Sequence, residues 1–398
     1  MTCKYAIVIA NGAADEPAEA LGGRTPLEAA NIPNIDGVVS EGRQGMVRTI
    51  PAGFAAGSDV AVLSLLGYDV HKCYTGRAPI EAVAQNIRLG HDEVVFRCNL
   101  VTVVDGELVD HAGGHIRTAE ARQVIDALNA EFSAEPVRFH AGLSYRHLMV
   151  ISDSSVLDTA CIPPDAIQSE RAADYTAKGP GAERINAIAR RASAIAASHD
   201  VNLVREDLEE MPANAVWLWG QGVTPILPRF RRRFGVVGAV VGAVDLMRGL
   251  AKLAGLAWAD VAGASGDLGT DTSAKGRAAV DALDENDLVV VHVEAPGEAA
   301  LMGDVDAKVE ALERIDADIV GPLLGRLREY DQWRILIAPD HVATTAGRRV
   351  VGQAVPFCMA GPGVPRGLHG LRFGESVAAA TDFHIERGCE LMEFFLRR

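Results

Sequence analysis

The sequence predicts an α/β fold, a mainly parallel sheet with helices on both faces, interrupted by an inserted α+β domain. Three observations carry that expectation. Tyr5 to Ala10 (YAIVIA), Leu288 to Val293 (LVVVHV) and Arg334 to Ala338 (RILIA) are short continuous apolar runs, the pattern of strands buried on both faces of a parallel sheet. Between the last two, Val309, Leu312, Ile315, Ile319, Leu323 and Leu327 recur at helical spacing opposite a charged face, which makes a strand, helix, strand crossover. Val95 to Asp110 (VFRCNLVTVVDGELVD) instead alternates like an antiparallel hairpin, so the middle of the chain follows another plan.

Taken in order, Asn11-Gly12 closes the first strand, and Thr25-Pro26-Leu27-Glu28 is a capping box with proline at the first helical position, so a helix starts there. Gly57-Ser58-Asp59 precedes a helix-like apolar run, VAVLSLLG, that Gly67 ends. After the hairpin, Ala119 to Phe132 reads as helix, Phe139 to Ile151 as extended chain, and Ala182 to Glu210 as a charged helical stretch leading back to a core strand at Ala215 to Trp219. Val236 to Val241 and a Leu246 to Leu256 helix add another crossover, and the runs at 288–293 and 334–338 each pass into a polar loop. Residues 1–90 and 216–398 are thus expected to form the sheet domain, and 91–215 an inserted α+β domain that closes over a substrate cleft and returns through a linker.

Composition limits the function. A chain of 398 residues, 48% hydrophobic and 23% charged, is too apolar for disorder and has room for two or three units of roughly 150 residues each. Its 38 basic against 53 acidic residues give a net charge of −15, which repels a phosphodiester backbone and argues against nucleic acid as a partner. A small anionic ligand remains compatible, because a few arginines and lysines can dominate one cleft. Cys3, Cys73, Cys98, Cys161, Cys358 and Cys389 show no CxxC spacing and read as reduced thiols of a cytoplasmic protein. The longest apolar run, Phe234 to Val244, is about half a membrane span, so no membrane is expected.

Several residues are placed for chemistry. Ser58, at the start of a helix, faces unpaired N–H groups that stabilise a phosphate or a developing oxyanion; as a plain N-cap it would serve structure alone. Asp340-His341 follows the strand RILIA, where ligands bind in open α/β sheets, and pairs a hard oxygen with an imidazole in the manner of a metal site; a capping aspartate beside a surface histidine is the alternative. Arg77 stands beside a tight turn, and Arg97 and Asn99 share a strand face, both suited to holding phosphate or carboxylate. His111 and His115 flank a flexible Ala112-Gly113-Gly114 loop.

These blocks together resemble a known family. NGAADEP, GRTPLEAANIPNID, GSDVAVLSLLGYD, YTGRAPIEA, FRCNLVTV, WLWGQG, VHVEAP, KVEALERID, PDH and PVPF resemble, almost end to end, the archaeal-type and bacterial cofactor-independent phosphoglycerate mutases of the alkaline phosphatase superfamily, although the last reads AVPF here. The resemblance implies an alkaline-phosphatase-like sheet domain and an isomerase of glycolysis that needs no 2,3-bisphosphoglycerate. It implies a phosphoserine route between 3- and 2-phosphoglycerate, assisted by two divalent cations, Mn or Mg. On this chain Ser58 would be the nucleophile, Asp340 and His341 metal ligands, and Arg77, Arg97, Lys275 and His111 the groups holding a small phosphorylated carboxylic acid.

The departures from that pattern are concentrated. Where the family has Asp-Gly after its first strand, this chain has Asn11-Gly12; where it has an aspartate and, four residues on, a histidine after VHVEAP, this chain has Gly297 and Leu301; a further histidine position falls near Val350. All three side chains of one cation site are missing, and the other keeps Ser58, Asp340 and His341 with a neutral amide at Asn11, so one metal at most is expected unless Glu298 or Asp304 substitutes. Three readings follow: a working mutase, an impaired paralogue that binds a phosphorylated metabolite or a partner, and a related phosphotransferase acting on another substrate such as homoserine.

Overall fold

The computed structural model describes residues 3–367 and 372–396. By contact the chain divides into two units, Met1–Tyr74 with Ile226–Arg398, and Thr75–Pro225.

The first unit is built on an eight-stranded sheet. At its centre Lys4–Ala10 lies between Trp333–Pro339 and Leu288–Val293, with Gly238–Val241 and Ala257–Ala259 beyond, and these five strands are parallel. The apolar runs behave as their composition dictates, since every residue of Leu288–Val293 and all but the first of Lys4–Ala10 are buried. On the other side Val355–Ala360 and then Arg43–Val47 pair antiparallel, and His384–Ile385 closes the edge. Parallel register puts Ala10 beside both Val293 and Pro339, so residues Asn11, Glu294 and Asp340 leave the sheet at one end.

Helices cover the sheet as the periodicity requires, with one addition. The capping box holds, Thr25 Oγ1 accepting from the Glu28 N–H at 3.2 Å while Glu28 accepts from the Thr25 N–H at 3.2 Å. The helical spacing from 309 to 327 becomes Val305–Ile315, a π-turn at Asp316–Val320 and Gly321–Leu327, with Leu312, Ile315, Ile319, Leu323 and Leu327 buried. After Leu288–Val293 the expected loop is instead a helix, Ala295–Met302, which the proline at its first turn helps to start.

The second unit has a five-stranded antiparallel sheet in which Glu93–Val104 pairs with Glu107–Asp110, Arg146–Ser152 and Ala215–Gly222, and Val137–His140 pairs with Arg146–Ser152. The strand at 215 was expected in the main sheet; it belongs here, because it hydrogen-bonds along Glu93–Val104 with Trp219 opposite Arg97. The helix Arg77–Ala84 packs on these same two strands, so the contact boundary lies before Thr75 and not after residue 90. Alternation sorts the central strand: Val94, Phe96, Cys98 and Leu100 enter a core with helices Thr118–Glu131 and Ala182–Ser198, while Val95 packs with Ala78, Ala82, Leu148 and Val150 on the other face. Among the described residues no helix is long and apolar enough to cross a membrane, and Cys73, Cys98, Cys161, Cys358 and Cys389 are free thiols.

Candidate functional site

In the first unit three strand ends deliver the chemistry. Asp340 is fully buried at the end of Trp333–Pro339. Its Oδ1 accepts the backbone N–H of Gly12 and of His341, each at 2.9 Å, and its Oδ2 accepts from Asn11 Nδ2 at 2.8 Å. The same Asn11 Nδ2 donates to Ser58 Oγ at 2.8 Å. One amide nitrogen therefore bridges the serine and the carboxylate. Ser58 is the first residue of the Ser58–Leu65 helix with Gly57 as its N-cap, so the serine is not spent on capping.

Behind this group lies a buried charge array. Lys275 Nζ donates to Glu294 Oε2 at 3.1 Å and to the His292 carbonyl at 3.2 Å, and His292 Nδ1 stands 3.0 Å from Glu294 Oε1. His292 Nε2, which has no hydrogen-bond partner, lies 4.0 Å from Asp340 Oδ2. Burial works against each charge, but the partners outweigh it. Glu294 is held down at about 2 by Lys275 and His292, His292 is pushed up to about 9 by Glu294 and Asp340, and Asp340 is held far below the usual carboxylate range by His341 and His292. Lys275, expected to hold ligand phosphate, is fully buried and committed to Glu294, because a lysine with no solvent must bond within the protein.

A two-cation centre does not fit these residues. A cation needs lone pairs, whereas the inward-facing atom of Asn11 is a hydrogen-bond donor. Gly297 and Leu301, four residues apart on the Ala295–Met302 helix, offer no ligand atom, and Val350 pairs with Ala343 in a strand hairpin. A Cβ on Gly297 would fall 2.1 Å from Asn11 Oδ1, so the amide occupies the space a side chain there would need. His341 Nδ1 is 3.0 Å from Asp340 Oδ1 but out of line for a hydrogen bond. Asp304 is no substitute ligand, since its carboxylate caps the Val305–Ile315 helix at the Ala307 N–H. Among the described residues no group of three or more His, Cys, Asp or Glu is arranged to hold a metal ion.

In the second unit the arginines converge on one carboxylate. Gly76, at φ 136°, approaches so closely that a Cβ would meet the Gln221 carbonyl at 2.1 Å, and this lets the Arg77–Ala84 helix start against the sheet. One turn on, Glu81 Oε1 accepts from Arg77 Nε at 2.9 Å and from Arg97 Nη1 at 2.6 Å. Arg97 Nη2 donates to Asn99 Oδ1 at 3.1 Å, which also accepts from Trp219 Nε1 at 3.2 Å. Both guanidiniums lie near the Trp219 ring, at 5.6 Å for Arg77 and 5.1 Å for Arg97. Burial pushes Glu81 up, but Arg97 and Arg77 override it and keep the carboxylate ionised. His111 joins by another route, its Nδ1 2.9 Å from Gln168 Oε1 and its ring edge-on to Tyr145.

Sequence reasoning did not single out Glu81, Trp219, His292 or Glu294. The i, i+4 spacing of Arg77 and Glu81 on a helix was a usable signal for the first; the others depend on pairings between distant strands.

Residues 39–202 match the family model described as 2,3-bisphosphoglycerate-independent phosphoglycerate mutase. The chain is 44% identical over 362 residues, 91% of each chain, to a protein of that name from Methanothrix thermoacetophila. It is 38% identical over 399 residues, 99% of this chain and 100% of the other, to a probable 2,3-bisphosphoglycerate-independent phosphoglycerate mutase from Geobacter sulfurreducens. Among solved structures it is similar to the cofactor-independent phosphoglycerate mutase of Thermoplasma acidophilum, with a TM-score of 0.60, 26% identity, and coverage of 100% of this chain and 99% of that one.

Proposed function

Because this chain belongs to the 2,3-bisphosphoglycerate-independent phosphoglycerate mutase family, we propose that it binds a small phosphorylated carboxylic acid but does not isomerise it through a metal-assisted phosphoserine. The observation that carries this reading is the position of Asn11 Nδ2, 2.8 Å from both Ser58 Oγ and Asp340 Oδ2. A serine hydroxyl attacks phosphorus only when a base or a cation lowers the cost of removing its proton. Here an N–H donates to that oxygen and leaves the proton in place. Ser58 then acts as a hydroxyl donor to an anion at the start of its helix, where the helix dipole adds to the attraction.

Charge arithmetic supports the same reading. The carboxylates of Asp340 and Glu294 are already opposed by Lys275 and the His292 imidazolium, so little negative charge remains to draw in a dication. Arg77 and Arg97, by contrast, need no metal to hold phosphate or carboxylate.

The test is metal analysis of the purified protein together with a coupled mutase assay in Mn²⁺ or Mg²⁺ and calorimetry with 3-phosphoglycerate. The expected result is far less than one bound cation, turnover orders of magnitude below that of the Methanothrix relative, and measurable phosphoglycerate binding. Two equivalents of Mn²⁺ with robust mutase turnover would sink the reading.

A further inference from the structure

We propose that the outward face of the Asp200–Asp207 helix, with the turn that follows it, docks the 226–237 segment of a second copy of this chain. The helix is apolar on two sides. Val201, Asn202 and Arg205 point inward and are buried, whereas Leu203, Val204 and Leu208, spaced i, i+1 and i+5, share the opposite face and are 49%, 55% and 60% exposed. Met211 continues the apolar strip beyond the helix at 55%. A surface helix needs one apolar stripe, turned to its own core, so a second stripe left in water marks a surface that another body covers.

Charge names the occupant. Glu206, Asp207 and Glu209 stand exposed among these apolar side chains, and no cation among the described residues pairs with them. Two copies of this face laid together would set like charges against each other, so it does not pair with itself. The matching surface is on the first unit. Arg231, Arg232 and Arg233, consecutive on the short Phe230–Phe234 helix, are exposed and have no carboxylate partner among the described residues, although exposed arginines elsewhere do, Arg138 with Glu93 and Arg328 with Glu41. Arg233 lies instead against the rings of Tyr68 and Phe234, at 5.6 and 5.0 Å. In a chain of net charge −15, such a run of unpaired cations is accounted for when acid meets it from outside. Apolar surface accompanies it too. Ile226 is 89% exposed, and a cavity of about 670 Å³ lined by Ile226, Pro228, Arg233 and Phe394 gives room for Leu208 or Met211 of the second copy. Because the two surfaces differ, the contact is head to tail, and it closes as a ring or continues as a chain.

The experiment is sedimentation velocity on the full chain between about 1 μM and about 1 mM, the range of weak to moderate affinities. The mass of the wild type should exceed that of one chain and grow with concentration. Arg231→Glu with Arg232→Glu, and separately Glu206→Arg with Asp207→Arg, should each weaken association by about tenfold or more, because like charges then face each other. Mixing these two double variants should restore it, since the reversed segment of one meets the reversed face of the other. Leu208→Gln should weaken association by about tenfold through lost apolar burial. All these positions are exposed, so melting temperatures should stay those of the wild type. If a double variant melts early, the single changes Arg232→Glu and Asp207→Arg, mixed in the same way, decide. A single-chain mass at every concentration overturns the proposal. An oligomer that survives both charge reversals overturns it as well, because another surface then joins the copies. So does association lost in both double variants and not regained on mixing.

Discussion

Replacing Asn11 with aspartate puts a carboxylate oxygen where Nδ2 now bridges Ser58 Oγ and Asp340 Oδ2 at 2.8 Å. At an effective dielectric constant of about 20, unit charges at the 2.8 Å separation now seen between Nδ2 and Asp340 Oδ2 repel by about 6 kcal/mol. Keeping one of the two carboxyls protonated at pH 7 costs about 4 kcal/mol from a reference value near 3.9. The cheaper route wins, so the pair shares a proton and the variant is less stable by about 4 kcal/mol at pH 7. The shared proton means a raised folded-state value, so the loss grows as pH rises and shrinks by about 1.4 kcal/mol for each pH unit below 7. A divalent cation removes the repulsion altogether, and at a hundredfold excess over its Kd it returns about 2.7 kcal/mol. Urea unfolding of wild type and Asn11→Asp, at pH 7 and 5.5, with and without MnCl2, reads all of these terms. The variant should unfold early at pH 7 and recover in Mn²⁺, while wild type ignores the metal. A variant as stable as wild type without metal, or equal Mn²⁺ stabilisation of both, would refute the reasoning.

Other outcomes follow from named contacts. Arg77→Ala should weaken 3-phosphoglycerate by about tenfold or more in calorimetry, because it removes a charge-assisted fork. Lys308→Met should cost about 3–5 kcal/mol in urea unfolding, since Lys308 Nζ bonds Asp15 Oδ2 and the Ala343 carbonyl at 2.8 Å and its loss leaves Asp15 buried without its cation. Burial, assisted by Arg97, holds His147 down at about 3, so its neutral form contributes stability that is full above about pH 6.5 and is lost by about 1.4 kcal/mol per unit as pH falls from there toward 3; His147→Gln should flatten that part of a urea midpoint against pH curve. Asn11→Asp, Gly297→Asp, Leu301→His and Val350→His together should raise Mn²⁺ affinity, whereas Gly297→Ala alone should lower the melting temperature through its clash with the Asn11 amide.

How much of this was legible depends on the range of the interaction. Features set by neighbours in sequence came through. The apolar runs became buried strands, Thr25 and Glu28 formed their box, and Ser58 and Asp340 took their places at a helix start and a strand end. What depended on distant pairing did not. Ala215–Gly222 reads like another core strand until its partner, Glu93–Val104, is known, and nothing local to Arg146 says that Asn99 lies opposite. The internal use of Lys275 was equally hidden, because a lysine in a helix looks the same whether it reaches solvent or, as here, a buried glutamate. Asn11 marks the limit most clearly. The resemblance implies a carboxylate where Asn11 stands, but only geometry shows the amide nitrogen bridging Ser58 and Asp340.

The close approach of Gly297 to the Asn11 amide oxygen also bears on whether such a chain can retrace its steps. Aspartate at 297 cannot come first, because its Cβ would have to sit 2.1 Å from that oxygen. Aspartate at 11 cannot comfortably come first either, because it would face Asp340 across the short gap the amide now bridges, and the loss of about 4 kcal/mol at pH 7 exceeds the roughly 2.7 kcal/mol that a cation at a hundredfold excess over its Kd returns. Each single substitution toward the family pattern therefore runs downhill in stability. A sequence holding this pair is caught as in a ratchet, with steric exclusion on one tooth and like charge on the other, so the two positions can change only together.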